Sequence, residues 1–322
     1  MSATIHVLCG FDANYLLPAA VTIRSMVAAL GEDDRCEAHL VGLGVDADGR
    51  QRLEQATADP RLRVRWHHVD DALVGAVPRA EERTYLTESV YLRLFLDRFL
   101  PPEVERVLFL DVDTVVCRSV AELFAVDLGD AVLGAVRDLG TPTLSARNGV
   151  GAWRELGLDG RTPYLNAGVL VIDRSRWCAA DIEPRTLDYV RTHAGQLVFN
   201  DQEALNAVLA GAWRALPTTW NAQVLELESA FEEPTAPILS LVPEAELLAA
   251  RDDPAIAHFC GWRKPWTFQG MSLPMADLWW DIAAGIDWAP PRPSAAPPRT
   301  ASDVVAAVER RLKRAGTVLR HG

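Results

Sequence analysis

The chain has 322 residues, of which 49% are hydrophobic and 24% charged, and its formal net charge at pH 7 is −12. It is long enough for one large α/β domain with an appendage, and its balance is that of a folded globular protein. The negative charge, with no dense basic stripe, excludes nucleic acid as a partner, and Arg, Asp, Glu or Pro interrupts every apolar stretch, which excludes a membrane-spanning helix.

Met1 leads directly into a strand-like segment with no basic leader or cleavage site, so the expected location is cytoplasmic. Five cysteines, Cys9, Cys36, Cys117, Cys178 and Cys260, are scattered and lack C-x-x-C spacing, as expected of small core residues in a reducing compartment. In chain order, Ile5–Cys9 reads as a strand, followed by the loop Gly10-Phe-Asp12-Ala-Asn14-Tyr15. A helix then runs to about Leu30, because Ala20, Ile23, Val27 and Leu30 keep helical spacing and Pro18 falls in the first turn. Further strands are expected at Ala38–Leu43, Leu62–Trp66, Val107–Leu110, Ala131–Val136 and Gly168–Ile172, interleaved with helical stretches. This alternation predicts a layered α/β fold with a mainly parallel sheet flanked by helices.

The texture changes at Ala289-Pro-Pro-Arg-Pro-Ser-Ala-Ala-Pro-Pro298, which reads as a stiff linker. Beyond it, Val304, Val305, Val308, Leu312 and Leu319 alternate with basic residues, giving a helical tail of net charge 6 − 2 = +4. Such a tail suits peripheral contact with an anionic membrane surface or packing back on the core. The expected division is residues 1–288 as the main domain, 289–300 as linker and 301–322 as basic tail.

Four motifs carry chemistry. In Val107-Leu-Phe-Leu-Asp111-Val-Asp113-Thr-Val-Val116, two carboxylates one residue apart end an apolar strand. Strand alternation would send both to one face, where ligands of parallel sheets gather. Hard oxygen donors suit Mg2+ or Mn2+, which would neutralise a diphosphate leaving group, although an Asp pair after a strand is also a common solvated turn or helix cap. In Tyr164-Leu-Asn166-Ala167-Gly168-Val-Leu-Val-Ile172, an amide able to bond sugar hydroxyls and two small residues open a strand, a pattern also found in plain turns. Asn200-Asp201-Gln202-Glu203 starts a helix to about Leu209, and an N-cap at Asn200 or Asp201 explains one polar residue but not the Asp-Gln pair. Last, Ile256-Ala-His258-Phe-Cys-Gly261-Trp-Arg-Lys264-Pro-Trp266 sets an imidazole, a glycine and an ammonium within seven residues.

Together and in this order, the motifs resemble glycosyltransferase family 8, the retaining enzymes that include glycogenin and bacterial lipopolysaccharide galactosyl- and glucosyltransferases. A D-x-N-Y loop, a Y-x-R-L helix at Tyr91-Leu-Arg-Leu94, D-x-D, N-A-G, D-Q and H-x-x-G-x-x-K-P-W span roughly residues 4 to 267. The resemblance implies a GT-A type fold, a single Rossmann-like domain with a mainly parallel mixed sheet. It implies Mn2+, or alternatively Mg2+, held by Asp111, Asp113 and His258, with the diphosphate of a UDP-sugar completing the coordination. Asp12, Asn14 and the backbone near Gly10 would meet uracil and ribose, Gly261 and Lys264 the diphosphate, and Val112 and Ala167 count among the donor-binding positions. Arg93, Asn166 and Asp201 would hold the donor sugar's hydroxyls, and Gln202 would lie near the anomeric carbon, opposite the leaving group.

The implied activity is retaining transfer of galactose or glucose from a UDP-hexose to a hydroxyl of a glycan or lipid-linked acceptor. An amide oxygen at Gln202 is a poor nucleophile, which favours front-face substitution over a covalent intermediate on Asp201. Two departures stand out: Ala13 where the galactosyltransferase branch usually has a second acidic residue, and Trp262-Arg263 where small residues are common. Two rivals explain less. A haloacid dehalogenase-like phosphatase would use Asp111 as nucleophile, yet leaves the N-A-G and H-x-x-G-x-x-K-P-W segments without a role. A binding protein without turnover would not need Asp111, Asp113, His258 and Lys264 all intact.

Overall fold

A computed structural model describes residues 4–70, 73, 75, 88–232 and 237–293. Among the described residues, ten strands follow in chain order: β1 (Ile5–Asp12), β2 (Cys36–Leu43), β3 (Leu62–His67), β4 (Arg106–Leu110), β5 (Thr114–Val116), β6 (Leu133–Arg137), β7 (Leu165–Asp173), β8 (Arg214–Ala215), β9 (Ala222–Gln223) and β10 (Ile256–His258). Seven of them form one sheet in the order β3-β2-β1-β4-β7-β6-β8, and β5-β10-β9 form a second. In the large sheet β3, β2, β1 and β4 run parallel, whereas β7 is antiparallel to both β4 and β6. The sheet is therefore mixed around a parallel half.

Burial on both faces explains the unbroken apolar runs that mark the central strands. Ile5, Val7, Cys9 and Phe11 of β1 pack against Ala20, Ile23 and Met26 of the helix Leu16–Ala29 and against Trp279. On the other face Leu8, Phe109, Leu170 and Ile172 meet Phe95, Trp177 and Leu205. The helix also orders the small sheet: Thr22 Oγ1 donates to the carbonyls of Val112 and Thr114, at 3.0 and 2.7 Å, and Ser25 Oγ accepts from Val116 N. These two buried hydroxyls tie the segment after β4 to the core.

The chain divides into Met1–Ala289 and Pro290–Gly322. The basic tail at residues 301–322 and most of the linker lie outside the described residues. Among the described residues, no helix is long and apolar enough to cross a membrane.

One face of β1, β2 and β3 carries a row of three histidines that sequence periodicity does not flag. His6 Nδ1 lies 3.1 Å from His39 Nε2, and His39 Nδ1 lies 3.0 Å from His67 Nε2. Glu37 stands beside this row, but Arg65 Nε takes its Oε1 at 2.7 Å. Burial, followed by His67, pushes His39 down to about 3, and burial also lowers His6 and His67. The folded rings stay neutral where the unfolded chain takes up protons, so their contribution is complete above about 6.5 and is lost as pH falls towards the folded values. Urea unfolding at pH 7 and pH 5 reads this histidine contribution as a drop at pH 5, against which the raised carboxyl of Asp201 works with the opposite sign. In His39→Leu the drop should shrink by about 2 kcal/mol, the cost of protonating one ordinary histidine over that range. Equal drops in both proteins would remove His39 from the account.

Candidate active site

The two aspartates of the D-x-D run do not sit on a strand. β4 ends at Leu110, and Asp111–Asp113 form a turn before β5, so the alternation expected from the sequence gives way to a turn that converges both carboxylates. The turn is held from several sides: Asp111 N donates to Gly168 O at 2.8 Å, and Thr114 Oγ1 donates to Asp111 O at 2.8 Å. β10 then runs antiparallel to β5 with His258 opposite Thr114, and Phe259 N donates to Asp113 O. Ligand-type atoms of Asp111, Asp113 and His258, far apart in sequence, lie within 4.8 Å of one another.

Two basic side chains complete the charge pattern. Arg93, in the 3-10 segment Glu88–Phe95, is buried over the Phe109 ring and bonds the Ala167 carbonyl. Its Nη2 donates to Asp111 Oδ1 at 2.8 Å, and its Nε lies 2.6 Å from Asp201 Oδ2. One guanidinium thus serves two carboxylates. Burial pushes Asp201 up to about 7, with Arg93 pulling it back and Asp111 adding to the rise. Lys264 Nζ pairs with Asp113 Oδ2 and donates to Phe259 O at 2.8 Å. Burial alone would raise the Asp113 carboxyl, but the Lys264 ammonium beside it holds it well below the usual carboxylate range.

Asn200–Leu209 is a helix, as expected, but neither Asn200 nor Asp201 caps it. Phe199 occupies the cap position with no side-chain bond, and Asn200 takes the left-handed conformation at φ 45°. Asp201 is thereby released from capping and faces Arg93. In β7 the N-A-G segment breaks register with β6, whose pairing jumps from Ala135–Leu170 to Val136–Asn166. Such bulges re-aim side chains next to active sites. The expected close approach of small residues to a ligand takes another form at Gly168, where a Cβ would fall 2.2 Å from His258 Cε1 and 3.0 Å from Asp111 Oδ2. The glycine makes room for the imidazole. Gly168→Ala should push the ring off the carboxylates, and any divalent cation held there would bind about tenfold or more weakly, measured by titration with the free ion. Unchanged affinity would show that the ring is not confined there. Gly10 plays a similar part, since a Cβ there would meet Leu92 Cβ at 2.9 Å, against the segment that carries Arg93.

Gly10, Arg93, Asp111, Val112, Asp113, Asn166, Ala167, Asp201, Gln202, His258, Gly261 and Lys264 line one cavity of about 340 Å³. Asp12 and Asn14 are not among its lining residues; Asp12 Oδ1 accepts from Asn14 N and caps the short 3-10 turn after β1. Trp262 is half exposed and Arg263 donates to Gln269 O, so neither bulky residue lines the cavity. Asn166 is largely committed within the protein. Its Oδ1 accepts from Gly168 N and Asn221 Nδ2, and its Nδ2 donates to Asp138 Oδ2, leaving one N–H for a ligand. Gln202 is similarly held, with Oε1 accepting from Ala167 N and Nε2 donating to Asp138 Oδ2.

Asp138, Asn221 and Glu226 belong to this region and escaped the sequence reading. Asp138 follows the strand expected at Ala131–Val136, the same strand-end signal that marked Asp111. Burial raises the carboxyls of Asp138 and Glu226, and both line the cavity. No local pattern marks Asn221.

The donor set fits a divalent cation. Asp113 Oδ1 is buried without a hydrogen-bond partner, and His258 Nε2 stands 3.2 Å from it. Because His258 Nδ1 bonds Asn221 Oδ1, Nε2 is the nitrogen turned to the carboxylates, and in the neutral ring it carries the lone pair. Lone pairs facing each other in a buried site repel unless a cation lies between them, and mixed oxygen and imidazole donors suit Mn2+.

The mixed α/β sheet flanked by helices is of the GT-A type, and an aspartate pair, an imidazole and two basic groups meet at one of its cavities. The fold matches a galactosyltransferase LgtC solved with donor and acceptor sugar analogues, at TM-score 0.71 and 23% identity, covering 89% of this chain and 98% of that one. The profile of glycosyl transferase family 8 matches residues 6–270, and the chain belongs to that family. It is 25% identical over 268 residues to General stress protein A of Bacillus subtilis, covering 81% of this chain and 87% of the relative. It is 24% identical over 266 residues to the lipopolysaccharide 1,2-glucosyltransferase of Escherichia coli K12, covering 82% and 73%. Other relatives are longer: the chain spans 27% of Gly of Streptococcus gordonii and 60% of GlyF of Streptococcus pneumoniae. Family membership sets aside the phosphatase alternative.

Proposed function

We propose that the protein is a retaining hexosyltransferase that moves galactose or glucose from a UDP-sugar to a hydroxyl of a glycan or lipid-linked acceptor, with Mn2+, or alternatively Mg2+, held by Asp111, Asp113 and His258. The observation that carries this reading is the convergence of those three side chains beside Arg93 and Lys264 in one cavity. A cation there would withdraw charge from the departing diphosphate. Lys264 lies beside Asp113 and can turn to a phosphate oxygen, since its ammonium is a mobile point charge. Arg93 holds Asp111 and Asp201 in place, so that Asp201 and the free N–H of Asn166 can meet sugar hydroxyls.

Retention by front-face substitution is supported by how the polar groups are committed. Asp201 is claimed by Arg93, Asp138 accepts from Asn166, Gln202 and Thr141 N, and the Gln202 oxygen faces a backbone N–H. In this route the bond from the anomeric carbon to the diphosphate breaks as the acceptor oxygen attacks from the same face. The acceptor's proton passes to the departing phosphate oxygen. Trapping a sugar on Asp201 during turnover would reject it.

The likeness to the E. coli lipopolysaccharide enzyme supports an envelope glycolipid as acceptor, and the basic tail at residues 301–322 would bring the catalytic residues 1–288 to an anionic membrane. The test is a screen of UDP-sugars for Mn2+-dependent hydrolysis, followed by transfer to extracted envelope glycolipids, with and without residues 290–322. Hydrolysis of one UDP-hexose only with the cation is expected. No binding or hydrolysis of any UDP-sugar would overturn the assignment, and UDP binding without transfer across acceptors would favour a binding protein.

A further inference from the structure

The nitrogen that His258 offers to the carboxylates is decided on another strand. A backbone N–H can only donate, so the Gly168 N–H, 3.0 Å from the Asn166 side chain, identifies the atom it meets as Oδ1. That turns Asn166 Nδ2 to Asp138 Oδ2 at 2.9 Å. The Asn166 oxygen requires a donor from Asn221, whose Nδ2 faces it at 2.8 Å, and Asn221 Oδ1 is left facing His258 Nδ1 at 2.8 Å. An amide oxygen only accepts, so Nδ1 carries a proton, and in the neutral ring the lone pair falls to Nε2, 3.2 Å from Asp113 Oδ1 and 3.9 Å from Asp111 Oδ2. Turning the Asn221 amide over would set oxygen against oxygen at Asn166, in a site where Asn221 is 0% exposed.

We propose that Asn221 is a positioning residue of the cation site: its amide, oriented from the Gly168 backbone through Asn166, fixes the Nδ1–H tautomer of His258 and aims Nε2 at Asp111 and Asp113. This rests on the cation-site reading given above. Asn221 directly precedes β9, in which Gln223 pairs with His258 of β10, so the amide and the ring ride on neighbouring strands. The competing state explains why an acceptor is needed. Without it, a buried Nδ1–H goes unsatisfied, and the ring gains by moving the proton to Nε2, where Asp113 Oδ1 would accept it. A protonated Nε2 cannot bind a cation.

The test uses the full chain with 15N-labelled histidine, comparing wild type with Asn221→Leu, the fold of each checked by circular dichroism. Leucine is close in size and removes the acceptor. In the metal-free proteins, nitrogen NMR should find the Nδ1–H tautomer of His258 in the wild type and its loss in Asn221→Leu; the wild-type spectrum decides the case by itself if the variant does not fold. Mn2+ titration without nucleotide should show affinity weakened about 10- to 100-fold in Asn221→Leu. An Nε2–H tautomer in the wild type, or equal Mn2+ affinity in Asn221→Leu, overturns the proposal alone. Absence of Mn2+ binding by the wild type overturns the cation-site reading and this proposal together.

Discussion

Replacing Asp113 by Asn should lower kcat/KM by on the order of 10²-fold or more, and it should also weaken the fold. On the proposed function, the loss of turnover follows from removing a charged cation ligand where leaving-group charge would develop. The loss of stability follows from Lys264, which is 6% exposed and pairs with the carboxylate that the substitution neutralises. Stranding a buried ammonium costs about 3–5 kcal/mol, less whatever the lysine recovers by dropping its proton. The two effects can be separated. The double variant Asp113→Asn with Lys264→Met should regain much of the stability in urea and none of the turnover. Near-normal activity in the single variant would remove Asp113 from the catalytic site, and equal stability of the single and wild-type proteins would contradict the ion pair.

Arg93→Met should be at least as damaging, because one guanidinium answers to Asp111, Asp201 and the Ala167 carbonyl. Its removal leaves two partly or fully buried carboxylates without a counter-ion, a destabilisation of about 3–5 kcal/mol, and turnover should fall on the order of 10²-fold. Lysine should not rescue it. A single ammonium cannot span two carboxylates and a carbonyl in the geometry of a planar fork, so Arg93→Lys should stay about tenfold or more below wild type. Activity of the lysine variant within about threefold of wild type would show that charge alone is needed.

Several elements were legible from local chemistry. Strands β1, β2, β3, β4, β6 and β7 were expected from apolar runs, and all are observed, with β1 extending to Asp12 and β7 beginning at Leu165. The helix Asn200–Leu209 was expected with its bounds, but its cap was not, because Phe199 at the cap position carries no capping side chain. The strands β5, β9 and β10 have three residues or fewer and no periodicity to detect. Strand direction was legible only in part: β4 and β7 read as equivalent buried runs, yet they pair antiparallel, because apolar pattern records burial and not polarity.

The sequence by itself marked residues that the structure gathers at one cavity, since two aspartates, an asparagine, an Asp-Gln pair and a His-Gly-Lys segment each interrupt an otherwise structural pattern. It also determined the layered α/β class, because runs of buried side chains and helical spacing follow from local composition. Only the tertiary structure decided how those residues meet. The pairing of β10 with β5 sets His258 opposite Thr114, Gly168 clears space for the ring, and Asn221 chooses which of its nitrogens faces Asp111 and Asp113. The physical reason is that each of these contacts joins segments dozens to more than a hundred residues apart, and hydrogen-bond direction and steric clearance exist only once those segments are packed together.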